Sequence, residues 1–413
     1  MKSDIDRLMQ ERDLDALIVA GGEEFNTARY YLTNGAHITR GTIVKIRGKD
    51  ALLICNGMEL EEAQKSGLRI KTDGEVGFYE LYKDADNDPN KAQALLWKKL
   101  LIEEGLLAGR VGLYGTWQIN TTIAVYNMLL QEADAYEFVA ESTPTVFTEA
   151  MLTKDDEEIE RLKFVAERTN EAMSVAWDYI AGSSADGDYV VDADGQKVTI
   201  GDIKTLVRRE LMVRGLEDTG MIFAQGRDAG FPHSRGETDM PLQIGKAIVF
   251  DLFPREMGGG YHHDMTRTWC IGYAPKEVQE IYDTVMEAFD ISVETYGVNK
   301  STHHMQEAVL DYFESKGHPT TRTDPRAMEG YVHSLGHGVG IDIHEAPSIS
   351  HVRRDDIFQI GNAVTIEPGL YYPENGIGVR VEDFFIVDKN GELISITPFR
   401  KDLVIPIDGI STE

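Results

Sequence analysis

AIVFDLFPREMGGGYHHDMTRTWCI (247–271) and AVTIEPGLYYPENGIGVRVEDFFIV (363–387) share one plan: an apolar strand, a turn rich in Gly with Pro or Asn, and a returning strand. Each segment carries an acidic residue on the outgoing strand, Asp251 or Glu367, and another on the return, Asp264 or Glu382. Asp251 directly follows AIVF and Glu367 directly follows AVTI, so each charge ends a strand that should be buried. A buried carboxylate is costly unless it is paired or binds a metal. Two such ribbons in one domain read as an internal duplication. Packed face to face, they would bring four carboxylates together, and these cannot share a dry cavity without cations. One divalent ion would leave a net charge of about −2, whereas two would bring four carboxylates near neutral.

A nitrogen ligand is at hand in HSLGHGVGIDIHE (333–345). His337 lies among Gly336, Gly338 and Gly340, which let backbone approach a site closely. Four carboxylates and an imidazole suit Mn²⁺ or Co²⁺, with Zn²⁺ or Fe²⁺ as alternatives, and argue against Cu⁺. Paired cations lower the pKa of a shared water, the candidate nucleophile.

Outward from these motifs, residues 1–150 alternate helix and strand patterns. ALIVA (16–20) reads as a buried strand, TIVKI (42–46) and ALLIC (51–55) as a hairpin across RGKD, and 90–106 and 120–133 as helices around the strand VGLYG (111–115). Phosphate-loop and dinucleotide fingerprints are absent from this α/β region. TPTVFTEAMLTK (143–154) reads as the junction to a second domain, 151–413, with Thr153 and Asp156 as a capping box. A long amphipathic helix is expected from there to about Gly182, burying Ile159, Leu162, Ala166, Ala172, Val175 and Tyr179. An exposed loop is expected over 183–201, and helices over 276–296 and 301–316, ending near Gly297 and Gly317.

Composition narrows the function. Among 413 residues, 42% are hydrophobic and 27% charged, the balance of a folded globular protein. A formal charge of −29 repels phosphate backbones and argues against a nucleic-acid partner. Cys55 and Cys270 are too few and too far apart for a disulfide framework or thiolate cluster. The charged start MKSDIDRLMQERDL is not a secretory signal, and no apolar run reaches the roughly 18 residues of a membrane span. A cytoplasmic protein with no membrane partner is expected.

The five ligand positions, in order, resemble those of the creatinase/methionine aminopeptidase superfamily, the pita-bread metallopeptidases, in its Xaa-Pro aminopeptidase and Xaa-Pro dipeptidase (prolidase) branch. The resemblance covers about 150–400, and residues 1–150 are similar to the N-terminal domain of the prolidase and creatinase branch. It implies an α+β pita-bread domain behind a smaller mixed α/β domain. Two divalent metals would sit on Asp251, Asp264, His337, Glu367 and Glu382, with Asp264 and Glu382 bridging them and Glu367 also accepting a proton. His344 would stabilise the tetrahedral intermediate, His333 would lie near the substrate carboxyl side, and His233, in GFPHSRG, would lie over the substrate. Arg380, two residues before Glu382, would steer carboxylates or hold a substrate carboxyl. A peptide substrate and a homodimer are also implied. Asp251 and Asp264 stand 13 apart, so the EMGGG turn is longer than in the best-known members. The loop 183–201 and FPHSRG also depart from familiar peptidase patterns.

Two rivals remain: the same metal fold acting on a small non-peptide substrate, as a C–N hydrolase or lyase, and a catalytically dead binding protein. Other residues have plainer readings. His262 and His263 are expected in the loop or behind the ligands. His303, His304, His318 and His351 are expected at the surface, and Trp177, Trp269 and the tyrosines of GLYYP in core or pocket wall. The run Asp155–Glu158 is expected to open a helix, where negative charge suits the dipole.

Overall fold

The computed structural model describes residues 1–410, and the chain divides into two compact units, the first Met1–Met151 and the second from Leu152 onward. In the first unit, β1 (Ala16–Gly21), β2 (Gly41–Ile46), β3 (Leu52–Cys55), β4 (Arg69–Thr72), β5 (Gly109–Thr116) and β6 (Tyr136–Val139) form one sheet, ordered β4-β3-β2-β1-β5-β6. β2 runs antiparallel to β1 and β3, and the other pairs are parallel. The β2–β3 hairpin therefore turns at RGKD. Helix Pro89–Glu103 starts where Asp88 accepts from the Asn90 and Lys91 amides, with proline in the first turn. It packs Leu96, Trp97, Leu100 and Leu101 into the core with Ile18, Val44, Ile54 and Val111.

In the second unit, helix Asp156–Ala181 opens with a capping box two residues further on than the sequence suggests: Asp155 and Glu158 cap each other, not Thr153 and Asp156. Asp155 Oδ1 accepts from the Glu158 amide at 3.0 Å, and Glu158 Oε2 from the Asp155 amide at 2.9 Å. The acidic run opens the helix as expected. Its buried face is rotated, however: Tyr179 is exposed and Ile159 and Val175 are half-buried, while Val165, Met173, Trp177 and Ile180 go inside with Leu162, Ala166 and Ala172. Glu158 joins that face because its carboxylate also accepts from buried Tyr261 at 2.7 Å.

The stretch 183–201 is a structured hairpin, not an irregular loop. β7 (Ser184–Asp186) pairs with β8 (Tyr189–Val191), and helix Ile200–Val213 begins behind a Thr199/Asp202 capping box. Further helices cover Lys276–Thr295 and His303–Ser315. Gly317 ends the last with φ +86, as a helix-terminating glycine does, whereas the preceding helix stops before Gly297 without a left-handed residue.

The strands that carry the site follow the two quoted segments. β9 (Leu216–Glu217) and β10 (Ile222–Gln225) precede β11 (Ala247–Leu252), β12 (Arg255–Glu256) and β13 (Met265–Ile271). β12 pairs with β9, and EMGGG turns there with positive φ at Gly258, Gly259 and Gly260. β14 (Gly336–Gly338) and β15 (Glu345–Ile349) lead to β16 (Ala363–Ile366), β17 (Gly369–Tyr372), β18 (Ile377–Arg380) and β19 (Asp383–Val387). β20 (Leu393–Ser395) and β21 (Val404–Ile405) complete two sheets, ordered β10-β11-β13-β21 and β15-β14-β16-β19-β20.

The second ribbon is thus interrupted on both arms. Pro368 has no amide to continue the ladder, and the Glu367 amide turns instead to Leu335 O at 2.8 Å. On the return, the Glu382 amide donates to Thr266 O at 3.0 Å, a bridge that binds the two ribbons to each other. Arg267, 1% exposed, clamps this junction by donating to the carbonyls of Glu382 and Phe399 and to Asp383 Oδ1 at 2.7–2.8 Å. Trp269, fully buried, stacks edge-on with Phe250 and Trp177 behind it. Burying one such side chain contributes about 1.5–3 kcal/mol. No helix among the described residues is long and apolar enough to cross a membrane.

Candidate metal centre

The junction of the two ribbons opens into a cavity of about 630 Å³. All nine residues singled out in the sequence line it: His233, Asp251, Asp264, His333, His337, His344, Glu367, Arg380 and Glu382. Asp251 points in from β11, Asp264 from the residue before β13, and Glu367 and Glu382 from the two breaks in the second ribbon. His337 projects from β14 beside Gly338, whose backbone lies so close to Ala346 O that an added Cβ would stand 2.1 Å away.

The ligand atoms converge. Asp264, His337 and Glu382 each offer an atom within 4.8 Å of the others. His337 Nε2 lies 3.6 Å from both Asp264 Oδ2 and Glu367 Oε1. His337 Nδ1 faces Gly338 O at 3.0 Å, so it carries the proton, and the Nε2 lone pair is turned toward the carboxylates. Burial and the neighbouring carboxylates hold Asp264 and Glu382 well above the usual carboxylate range, and burial pushes Glu367 to about 8. Asp251 Oδ1 and Asp264 Oδ1 are buried with no hydrogen-bond partner among the described residues. Orphaned oxygens, crowded carboxylates and an imidazole lone pair aimed at them are the donor set of a divalent cation.

Arg380 is 3% exposed and belongs to the wall of this cluster. Its Nη2 donates to Asp251 Oδ2 at 2.5 Å, Nε to Thr266 Oγ1 at 3.0 Å, and Nη1 to Tyr371 OH at 2.9 Å and Pro232 O at 3.3 Å. Thr266 Oγ1 donates onward to Glu382 Oε2 at 2.7 Å. Arg380 thus spends most of its donors within the protein.

Sequence reasoning missed two members of this network. Thr266 is a plain strand threonine in sequence. Tyr371 reads as core or pocket wall, with nothing to mark its hydroxyl, which links Arg380 to His333 Nε2 at 2.9 Å. Because His333 Nδ1 donates to Ser334 O at 2.7 Å, Nε2 is the acceptor, and Tyr371 donates to it. His333 is held neutral, its pKa pushed to about 3 by burial and Arg380. A third omission is the buried pair Lys154–Glu345, 2.6 Å apart, beneath the turn that carries His344.

The remaining histidines divide. His262 and His263 are buried behind the site, with burial lowering their pKa to about 4 and about 3, and neither lines the cavity. His304 is exposed, but His303, His318 and His351 are half-buried, more than a surface assignment implies. His318 is drawn in by Tyr372, whose hydroxyl lies 2.6 Å from Nδ1.

Two carboxylate-bearing ribbons around such a cavity, backed by helices, define a metal-dependent hydrolase of the pita-bread α+β class. Residues 156–389 match metallopeptidase family M24, and residues 3–145 match the creatinase/prolidase N-terminal domain. The chain therefore belongs to metallopeptidase family M24 and is a peptidase that uses divalent metal. It is 25% identical over 387 residues to the Xaa-Pro dipeptidase of Pyrococcus horikoshii, covering 93% of each chain. The Xaa-Pro dipeptidase structure from Bacillus anthracis superposes with a TM-score of 0.74 at 25% identity, covering 98% of this chain and 99% of that one. The X-Pro aminopeptidase structure from Thermotoga maritima shares the fold, with a TM-score of 0.73 at 20% identity over 94% of this chain and 97% of that one.

Proposed function

We propose that Asp251, Asp264, His337, Glu367 and Glu382 hold two divalent cations, and that the protein cleaves N-terminal Xaa-Pro peptide bonds. The carboxylate cluster carries this reading. Four carboxylates and the Arg380 guanidinium sum to −3 in one buried cavity, more than one divalent ion cancels. The proline preference rests on the relatives' specificity and on the cavity wall. When bound, such cations supply Lewis acidity and lower the pKa of water.

The chain's own groups complete the chemistry. Glu367 Oε1, 3.6 Å from His337 Nε2, is placed to hold a proton between the attacking water and the leaving nitrogen. His344, whose ring centre is 4.4 Å from that of His337, lines the same cavity and is the candidate N–H donor to the oxyanion. Proline's tertiary amide offers no N–H, so its ring must be selected by shape. Ile222, Pro232, Phe253 and Ile343 give the cavity an apolar wall for it. Neutral His333 and exposed His233 flank the same space.

The test is metal-stripped protein reconstituted in turn with Mn²⁺, Co²⁺, Zn²⁺ and Fe²⁺ and assayed on Xaa-Pro dipeptides, longer Xaa-Pro peptides and matched non-proline peptides. Turnover confined to Xaa-Pro bonds, with about two metals per chain and loss on chelation, is expected. Full metal content without turnover of any peptide overturns the peptidase substrate and favours a small non-peptide one.

A further inference from the structure

FPHSRG (231–236) departs from familiar peptidase sequences, and its Arg235 lines the cavity together with the carboxylate cluster. The chain carries 70 acidic residues against 41 lysines and arginines, so most arginines meet a carboxylate. Arg235 does not: among the described residues its guanidinium has neither a hydrogen bond nor a carboxylate within ion-pair distance. It lies instead against Gly220, its nitrogens 3.0 and 3.2 Å from where a Cβ would stand.

The arm is free, but its base is fixed. Gly230 abuts Pro373, where an added Cβ would come within 2.4 Å, and Gly236 abuts Phe223 O, where one would come within 2.2 Å. Pro232 O accepts from Arg380, and buried Lys204 donates to Arg235 O. Gly220, the surface on which the guanidinium rests, is held by Asp218 Oδ1, which accepts from the Gly220 and Met221 amides at 2.9 and 2.8 Å. A cation braced this way stands at the rim of the cavity, apart from the proposed metal ligands on its floor.

The spacing sets what can bridge its two ends. Ile222 is the β-partner of Asp251, about 5 Å across the ladder, and Gly220 stands two residues upstream of Ile222, at most ~7 Å along the chain, which puts the backbone under the guanidinium roughly 9 Å from that of Asp251. A dipeptide spans ~7 Å from its amine to its terminal carboxylate, so the Asp251 and Arg235 side chains have only a short remainder to cover. A tripeptide carries that carboxylate one residue further.

We propose that Arg235 binds the C-terminal carboxylate of the substrate and makes this protein a dipeptidase rather than an aminopeptidase of long peptides. This deepens the Xaa-Pro reading and rests on it. The guanidinium fork pairs with a carboxylate through two parallel N–H···O bonds, a geometry an ammonium does not reproduce.

The test uses the metal-loaded full chain with Ala-Pro, Ala-Pro amide and Ala-Pro-Ala, comparing wild type with R235Q and R235K. Wild type should prefer Ala-Pro over its amide and over the tripeptide by about tenfold or more in kcat/KM, the worth of one charge-assisted bidentate contact. R235Q should bring acid and amide within about twofold of each other through KM for the acid, with R235K in between. Calorimetric binding of Ala-Pro and its amide gives the same contrast without turnover. Equal handling of acid and amide by wild type, or a preference for the acid that survives in R235Q, overturns the assignment. The two readings fail separately: absence of turnover on all three compounds counts against the Xaa-Pro reading, while the binding contrast still decides for or against Arg235.

Discussion

Arg380 Nη2 stands 2.5 Å from Asp251 Oδ2, and both side chains are nearly sealed from solvent. The guanidinium neutralises one carboxylate of the cluster and fixes its rotamer before any cation arrives. Breaking such a pair leaves a buried charge uncompensated, at a cost of about 3–5 kcal/mol. R380M should therefore lower the melting temperature of the metal-free protein by ~5–10 °C. R380K should lie between R380M and wild type, since it keeps the charge but loses the fork. Calorimetry on chelated samples of the three proteins measures this, and an unchanged melting temperature in R380M would show that the pair adds nothing.

The cluster also sets how stability responds to pH. Glu367 is raised to about 8 from an ordinary value of 4.5, and Asp264 and Glu382 are raised well above theirs. A carboxyl whose folded-state pKa is raised binds more protons in the folded than in the unfolded state, so stability falls as pH rises. For Glu367 that loss begins near pH 4.5 and runs to about pH 8. Metal-free protein should become steadily easier to unfold in urea across that window, and saturating Mn²⁺ should remove most of the slope by replacing protons with cations. Identical slopes with and without metal would contradict this.

Two substitutions separate ligand from catalyst. D264A deletes a carboxylate that approaches both His337 and Glu382, and should abolish metal retention as well as activity. H344A removes a ring beside His337 that is not among the proposed ligands. It should keep its metal and lose kcat by about 10²–10³-fold, the usual effect of one oxyanion donor. Elemental analysis beside kinetics decides: normal metal content in D264A, or metal loss in H344A, would reassign the two.

Two of the proposed ligands, Asp251 and Glu367, were legible because each puts a charge at the end of an apolar strand. A charge at the end of an apolar strand demands a partner, and two such ribbons demand it together. What depended on pairing between distant strands was not legible. Thr266 joins the site through its bridge to Glu382, 116 residues away, and nothing near Thr266 in the sequence marks it. The break at Glu367-Pro368 splits the second ribbon between two sheets, although its pattern matches the continuous first ribbon. The helix start slipped because Thr153 and Asp155 are both good caps, and burial of Glu158 against Tyr261 chooses between them. Residues 183–201 looked too polar for structure, yet a hairpin of three-residue strands needs few apolar positions.

Tyr371 offers the sharpest test of the hidden network. Its hydroxyl accepts from Arg380 and donates to His333, so it lies on a chain that begins at Asp251 and ends at Ser334 O. Y371F keeps the ring and its packing but leaves an Arg380 N–H and the His333 lone pair unmet. Leaving a buried polar group unpaired costs about 1–3 kcal/mol. Melting temperature should fall by a few degrees, and His333, freed of its donor, should titrate at a higher pH than in wild type. Activity should drop about tenfold with a shifted acid limb of the pH–rate profile, because both a cavity wall and the Asp251 rotamer loosen. If Tyr371 only fills volume, Y371F will match wild type in melting temperature, imidazole titration by NMR and pH–rate profile, and the hydroxyl then has no part in the site.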